Sequence, residues 1–311
     1  MSNGQLKVLD IERISERLFE EERIRAKICR DYCIEDVGDP AEMAYRLVES
    51  IGQVRPPAGG AQAPEENRTV FRAAVLALAS NMRSWSRFLR CRGEFESLLK
   101  QYDPVAFSRE VETDCGLVRN IGDYLGGQTA LADANAIVKW ANILARDPGY
   151  FNALNELKSG MEAAVYDGEV VPVLAAFLGS PSKRAEIRWP PPSGAESWKA
   201  PGMQMALASE FLRNLHWNGF KPDRHIKRLM GRWFPEVIEA QAGRARDLAR
   251  RMLYRSSKDV ITGLQISLAG MAVTPDDCSF TKADNLVWAL GAYVEKKNSE
   301  SGEVYWKTAA A

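Results

Sequence analysis

Apolar residues recur along this chain three and four positions apart, which places them on single faces of helices. Ile11, Ile14 and Leu18 form one such face; Phe71, Val75 and Leu78 form another, as do Ile137, Trp140 and Leu144. Leu207, Phe211 and Leu215 follow the same rule, and so do Ile226, Leu229, Met230 and Trp233. No sustained two-residue alternation lies between hairpin turns, so the pattern predicts an all-α protein without a substantial sheet. Two stretches break the periodicity. Residues 54–67, VRPPAGGAQAPEEN, read as a flexible linker between an N-terminal helical segment, 1–53, and a body of 68–311. The second break, 179–201, carries Pro190-Pro191-Pro192 between Trp189 and Trp198, and favours a stiff extended connection. No repeat period is present, which argues against a solenoid.

Composition narrows the class. With 46% hydrophobic and 26% charged residues among 311, the chain has the makings of a globule with a real core. Its 41 basic and 41 acidic residues cancel, so bulk charge does not announce a nucleic-acid binder. The N-terminal residues lack the apolar core of a signal peptide, and no apolar run is long enough to span a bilayer. Cys29, Cys33, Cys91, Cys115 and Cys278 are odd in number and scattered, which suits free thiols in a reducing cytoplasm better than a disulfide framework. Gly126-Gly127-Gln128-Thr129 lacks the lysine of a phosphate-binding loop. The two histidines, His216 and His225, lie nine apart, which is not a helical pair of metal ligands; no metal site is expected.

Candidate chemistry concentrates in 198–235, WKAPGMQMALASEFLRNLHWNGFKPDRHIKRLMGRWFP. Ala200-Pro201-Gly202 reads as a tight turn opening a helix that runs to about Leu215. A loop from His216 to Lys221 follows, and Pro222 is expected to begin a second helix. Asp223 then sits at a helix N-terminus, where free amides and the helix dipole favour a carboxylate. Most aspartates in such positions only stabilise the helix.

The arrangement resembles the helix-hairpin-helix DNA glycosylase superfamily, whose hairpin carries L-P-G-x-G and whose catalytic Asp follows in a V-D-T-H-x-x-R-like segment. Pro201-Gly202 matches the hairpin turn, and Pro222-Asp223-Arg224-His225-Ile226-Lys227-Arg228 matches the catalytic segment. Ala283 to Gly291 is similar to the late helix that packs on the core, and Val75 to Met82 to the early helix and DNA-wedging loop. The resemblance spans roughly 65–295, and its specific part is Pro201 to Arg228. It implies two helical subdomains with an active site in the cleft between them, no cofactor, and duplex DNA containing a modified base as the partner of a monomeric protein. Asp223 is the implied catalytic carboxylate. Gly202, Gln204, Arg224, His225, Lys227, Arg228, Asn81 and Met82 are the implied DNA contacts.

Two departures qualify the match. Gln204 stands where the second hairpin glycine would be, and no lysine occupies 203–208, where bifunctional relatives keep a Schiff-base amine. Monofunctional base removal is the consistent expectation. An iron–sulfur cluster needs four clustered cysteines, which Cys278 alone does not provide.

Hydrolysis of an N-glycosidic bond builds positive charge on the sugar, which a fixed carboxylate stabilises while it orients or deprotonates water. The target base must first leave the duplex for a pocket. Trp198, Trp217, Tyr124 and Trp140 are the candidates to line it, with Trp189 a further aromatic nearby. Three basic runs suit phosphate contacts: Arg213, Lys221, Arg224, Lys227, Arg228 and Arg232; Arg244, Arg246, Arg250, Arg251, Arg255 and Lys258; and Arg83, Arg87, Arg90 and Arg92. Solvated helix surface is the alternative for each. Rival functions are a DNA-binding protein that kept the fold without catalysis, and a helical protein-interaction scaffold. The substrate expected is a damaged base, in repair, or a hypermodified base of phage DNA, in defence.

Overall fold

The computed structural model describes residues 7–54, 66–83, 88–89, 91–166, 168–298 and 301–308. These are mostly helical, as the periodicity predicts, with one two-stranded antiparallel sheet. Contacts divide the chain into two units: Met1–Arg55, Asn218–Ala249 and Ser256–Ala311 form the first, and Pro56–Trp217 with Arg250–Arg255 the second.

The first unit is assembled from both ends of the chain. Strand β1 (Lys7–Leu9) pairs with β2 (Trp306–Thr308), Val8 facing Lys307. Asp10 then caps α1 (Ile11–Glu20) by accepting from the Arg13 N–H at 3.2 Å. Helix α1 buries Ile14, Leu18 and Phe19 and packs on α3 (Pro40–Ile51) and α17 (Phe280–Tyr293). Each such side chain contributes about 1.5–3 kcal/mol by leaving water. Helix α2 (Glu22–Tyr32) packs against both α1 and α3. Helices α13 (Arg224–Trp233), α14 (Pro235–Ala240) and α16 (Lys258–Ala272) complete the unit. The division expected at 54–67 is therefore corrected. The N-terminal segment is not a body of its own, because its apolar face is covered by the last helix of the chain. Most of the expected linker, 55–65, lies outside the described residues.

In the second unit α4 (Glu66–Ala79) packs on α8 (Ala130–Arg146) and α12 (Met205–Asn214). Helices α5 (Arg92–Leu98), α6 (Pro104–Thr113), α7 (Leu117–Leu125) and α9 (Tyr150–Glu162) surround them. Helix α10 (Val170–Gly179), VVPVLAAFLG, is buried at every residue, as a helix apolar on all sides must be. It lies directly against α12: a Cβ on Gly179 would stand 2.6 Å from the Met205 nitrogen, so only glycine fits. The short α11 (Lys183–Arg188) follows, and α15 (Ala242–Leu253) runs from one unit's residues into the other's. No helix among the described residues is long and apolar enough to cross a membrane.

Candidate functional site

The loop before α13 is fastened to the start of α17. Asn218 Oδ1 accepts from the Thr281 N–H at 3.0 Å, and Gly219 N–H donates to Thr281 Oγ1 at 3.2 Å. Asp284, 1% exposed, accepts from the Lys221 N–H at 2.7 Å. Phe220 lies so close to Gly270 that a Cβ there would meet its ring at 2.5 Å. Thus held, the chain delivers Asp223 as the N-cap of α13, with extended backbone at φ −82°, ψ −179°. This corrects the expected helix start at Pro222: the helix begins at Arg224, because the Asp223 side chain takes the place of the preceding turn's carbonyls. Its Oδ1 accepts from the N–H groups of His225 at 2.8 Å and Ile226 at 2.9 Å. Oδ2 takes no hydrogen bond from the described residues.

His225 stands beside the carboxylate with its ring edge-on to Trp288, centroids 6.3 Å apart. Burial pushes its imidazole below the ordinary histidine range, against the opposing pull of Asp223. The neutral ring accepts from Arg224 Nε–H at 3.3 Å and hydrogen-bonds to the Gly291 main chain. Gly291 packs closely here: a Cβ would sit 3.0 Å from the His225 Cβ. Arg224 and Lys227 are exposed. Arg228 is not: its guanidinium donates to the carbonyls of Gly291, at 3.2 Å, and Glu295, tying α13 to the end of α17.

The turn at 200–204, matched in sequence to the hairpin, belongs to the second unit. Ala200 N–H donates to Leu178 O at 2.9 Å, and Met203 N–H closes the turn on Ala200 O at 3.1 Å. Gly202 has φ +73°, and a Cβ there would come within 2.6 Å of Ala136 Cβ, so the turn needs glycine for both reasons. Gln204 is exposed and is the N-cap of α12 without a side-chain cap bond. Lys199 donates to the carbonyls of Gly179, Ala200 and Met203. Lys199 lies outside the residues that carry the resemblance, and its position directly before the turn is its one signal in the sequence.

Two expected pocket aromatics are internal instead. Trp140 is 0% exposed, donates its Nε1–H to Pro201 O at 3.2 Å and packs on Phe211, centroids 5.1 Å apart. Trp198 is 2% exposed, donates to Pro190 O at 2.9 Å and meets the Tyr150 ring. Both seat the turn rather than present a face to a ligand. Trp217 is half-buried, with Lys158 Nζ 5.6 Å from its ring centroid. Tyr124 lines a small recess with Phe88, Cys91, Phe95 and Arg83, and its hydroxyl donates to Glu94 at 2.8 Å.

Met82 is 75% exposed in a left-handed conformation, φ +54°, just beyond α4. Its neighbours explain how this strained turn persists. Arg83 and Asp133 form a buried ion pair at 2.6 Å, and Asn81 Nδ2 and Thr129 Oγ1 donate to the same carboxylate at 3.1 and 2.7 Å. Arg83 also donates to the Gly126, Leu78 and Asn81 carbonyls. With every donor engaged, the cluster fixes the loop.

The basic runs are less uniform than the sequence predicts. Arg213 is 1% exposed and lies 3.6 Å from Glu210. Arg232 pairs with Glu295, Arg244 with Asp247 and Arg92 with Glu96. Carboxylates distant in sequence or one helical turn away neutralise them, while Arg87 and Arg90 lie outside the described residues. Among the described residues the five cysteines are free, and no group of histidine, cysteine and carboxylate side chains is placed to hold a metal. No family model matches the chain, and neither the curated proteins nor the solved structures contain a match.

Proposed function

We propose that the chain is a monofunctional DNA N-glycosylase in which Asp223 is the catalytic carboxylate. The observation that carries this reading is the half-engaged state of that side chain. Helix-end amides orient it through Oδ1, and Oδ2 takes no donor from the described residues. Such a group can face a sugar that gains positive charge as its base departs, and can accept a hydrogen bond from the attacking water. Neutral His225 and the exposed cations Arg224 and Lys227 suit a phosphodiester beside it. Exposed Met82, braced from below, suits a side chain that enters a base stack when a nucleotide is turned out. Lys199, the amine nearest the hairpin turn in sequence, is committed to carbonyls, which supports hydrolysis by water over a covalent imine. The substrate on this reading is duplex DNA with a damaged base or a hypermodified phage base.

The exposed, uncapped Gln204 favours one second reading, a DNA-binding protein without catalysis. Duplexes carrying alkylated, oxidised, deaminated or glucosylated-hydroxymethyl bases, treated with protein and then hot alkali, separate the two. Alkali-labile breaks on one substrate, absent with Asp223→Asn, are the expected result. Binding without breaks on any duplex selects the second reading.

A further inference from the structure

The way Lys199 is bound carries more than its exclusion from the proposed reaction. Its ammonium has three protons, and three main-chain carbonyls receive them: Gly179 O at 2.7 Å, Ala200 O at 3.3 Å and Met203 O. The first belongs to the end of α10, the other two to the turn itself. No carboxylate among the described residues pairs with this half-buried cation. Burial alone pushes its proton affinity below the ordinary lysine range, with no acidic group to restore it. An ammonium bound only by converging carbonyl dipoles is the arrangement by which proteins hold small monovalent cations. Gly179 is part of the construction, because it brings the end of α10 against the start of α12 and so aims its carbonyl inward.

We infer that residues 179 and 199–203 form a monovalent-cation site that the chain fills with its own lysine. The tether makes the site permanently occupied, so the turn keeps its shape whatever salt surrounds it. Removing the amine then leaves three oxygens facing one another across a vacancy. Potassium and ammonium ions, singly charged and close in size to a lysine head group, are the ligands such a vacancy takes. The inference concerns the turn's stability and stands apart from the glycosylase reading.

The test is thermal unfolding of the full chain and of Lys199→Ala and Lys199→Met, in choline chloride, potassium chloride and ammonium chloride at equal ionic strength. Choline is too large to enter. The wild type is expected to melt at one temperature in all three salts. Lys199→Ala in choline chloride is expected to melt about 5 °C lower, the shift that losing a charged, multiply hydrogen-bonded group produces in a unit of this size. Potassium or ammonium should restore most of that loss. Lys199→Met keeps the packing of the stem, so its behaviour isolates the head group, and it should show the same rescue. A wild-type melting temperature in both variants in choline chloride overturns the inference. So does a loss, complete unfolding included, that neither small cation reverses.

Discussion

The turn at 199–203 and the start of α13 both confront main-chain polar groups with a single charged side chain, and they resolve the encounter differently. At the turn, Lys199 spends all three protons on carbonyls, Trp140 and Trp198 cover the surroundings, and Gly202 closes against Ala136. At the helix start, Asp223 spends one oxygen on two N–H groups and keeps the other. A charge whose hydrogen-bonding capacity is exhausted fixes a backbone and has nothing left for a ligand. A charge oriented by half its capacity is held in place and still has an acceptor to offer. The same contrast separates neighbours on α13, where Arg228 is consumed by the end of α17 and Lys227 is left to solvent.

The comparison can be broken most forcefully at Gly202. Gly202→Val places a β-branched residue at φ +73° and against Ala136, and should cost about 3 kcal/mol or more in denaturant-unfolding stability. A stable variant would mean that the turn is not fixed as described. Next come the two cations of α13. Arg228→Ala removes charge-assisted bonds to two carbonyls and should destabilise the protein by about 2 kcal/mol. Lys227→Ala should change stability by less than about 0.5 kcal/mol, yet flatten the salt dependence of DNA binding by about one unit of log–log slope. Equal effects of the two on stability would remove the distinction between consumed and available charge.

The smallest effect expected is at His225. Because its folded-state pKa is lowered, the unfolded chain binds the proton more readily. Stability should therefore fall as pH drops through the ordinary imidazole range toward the folded-state value, and His225→Gln should remove that portion of the pH dependence. An unchanged stability–pH curve in the variant would show that the ring is not held neutral.

Helical periodicity, read from the sequence, identifies the apolar faces that are buried: Ile14 and Leu18 in α1, Ile226, Leu229 and Met230 in α13. It says nothing of which helix covers which, so the packing of α1 on α17 and the resulting membership of the N-terminal segment were not legible. Gly202 at the turn and Asp223 at a helix N-terminus were legible because local backbone geometry favours each there, whereas the start of the helix at Arg224 rather than Pro222 was not. Trp140 and Trp198 were misplaced because an aromatic beside a motif reads alike whether it packs under the turn or faces a ligand. The basic runs misled for a related reason: Glu295, distant in sequence, neutralises Arg232, and Asp133 neutralises Arg83. The place of Lys199 beside the turn is visible in the sequence, but its partners are main-chain oxygens, which leave no trace in residue identity.

The most direct test of the central claim is the rate of base release by Asp223→Asn on the duplex from which the wild type is expected to release its base. Asparagine caps helices as well as aspartate, so the variant should fold with nearly unchanged stability and bind DNA with comparable affinity. Its rate should fall by about a thousandfold, the scale associated with losing a group that stabilises charge in the transition state. Base release at the wild-type rate would contradict the assignment and return Asp223 to the role of a helix cap.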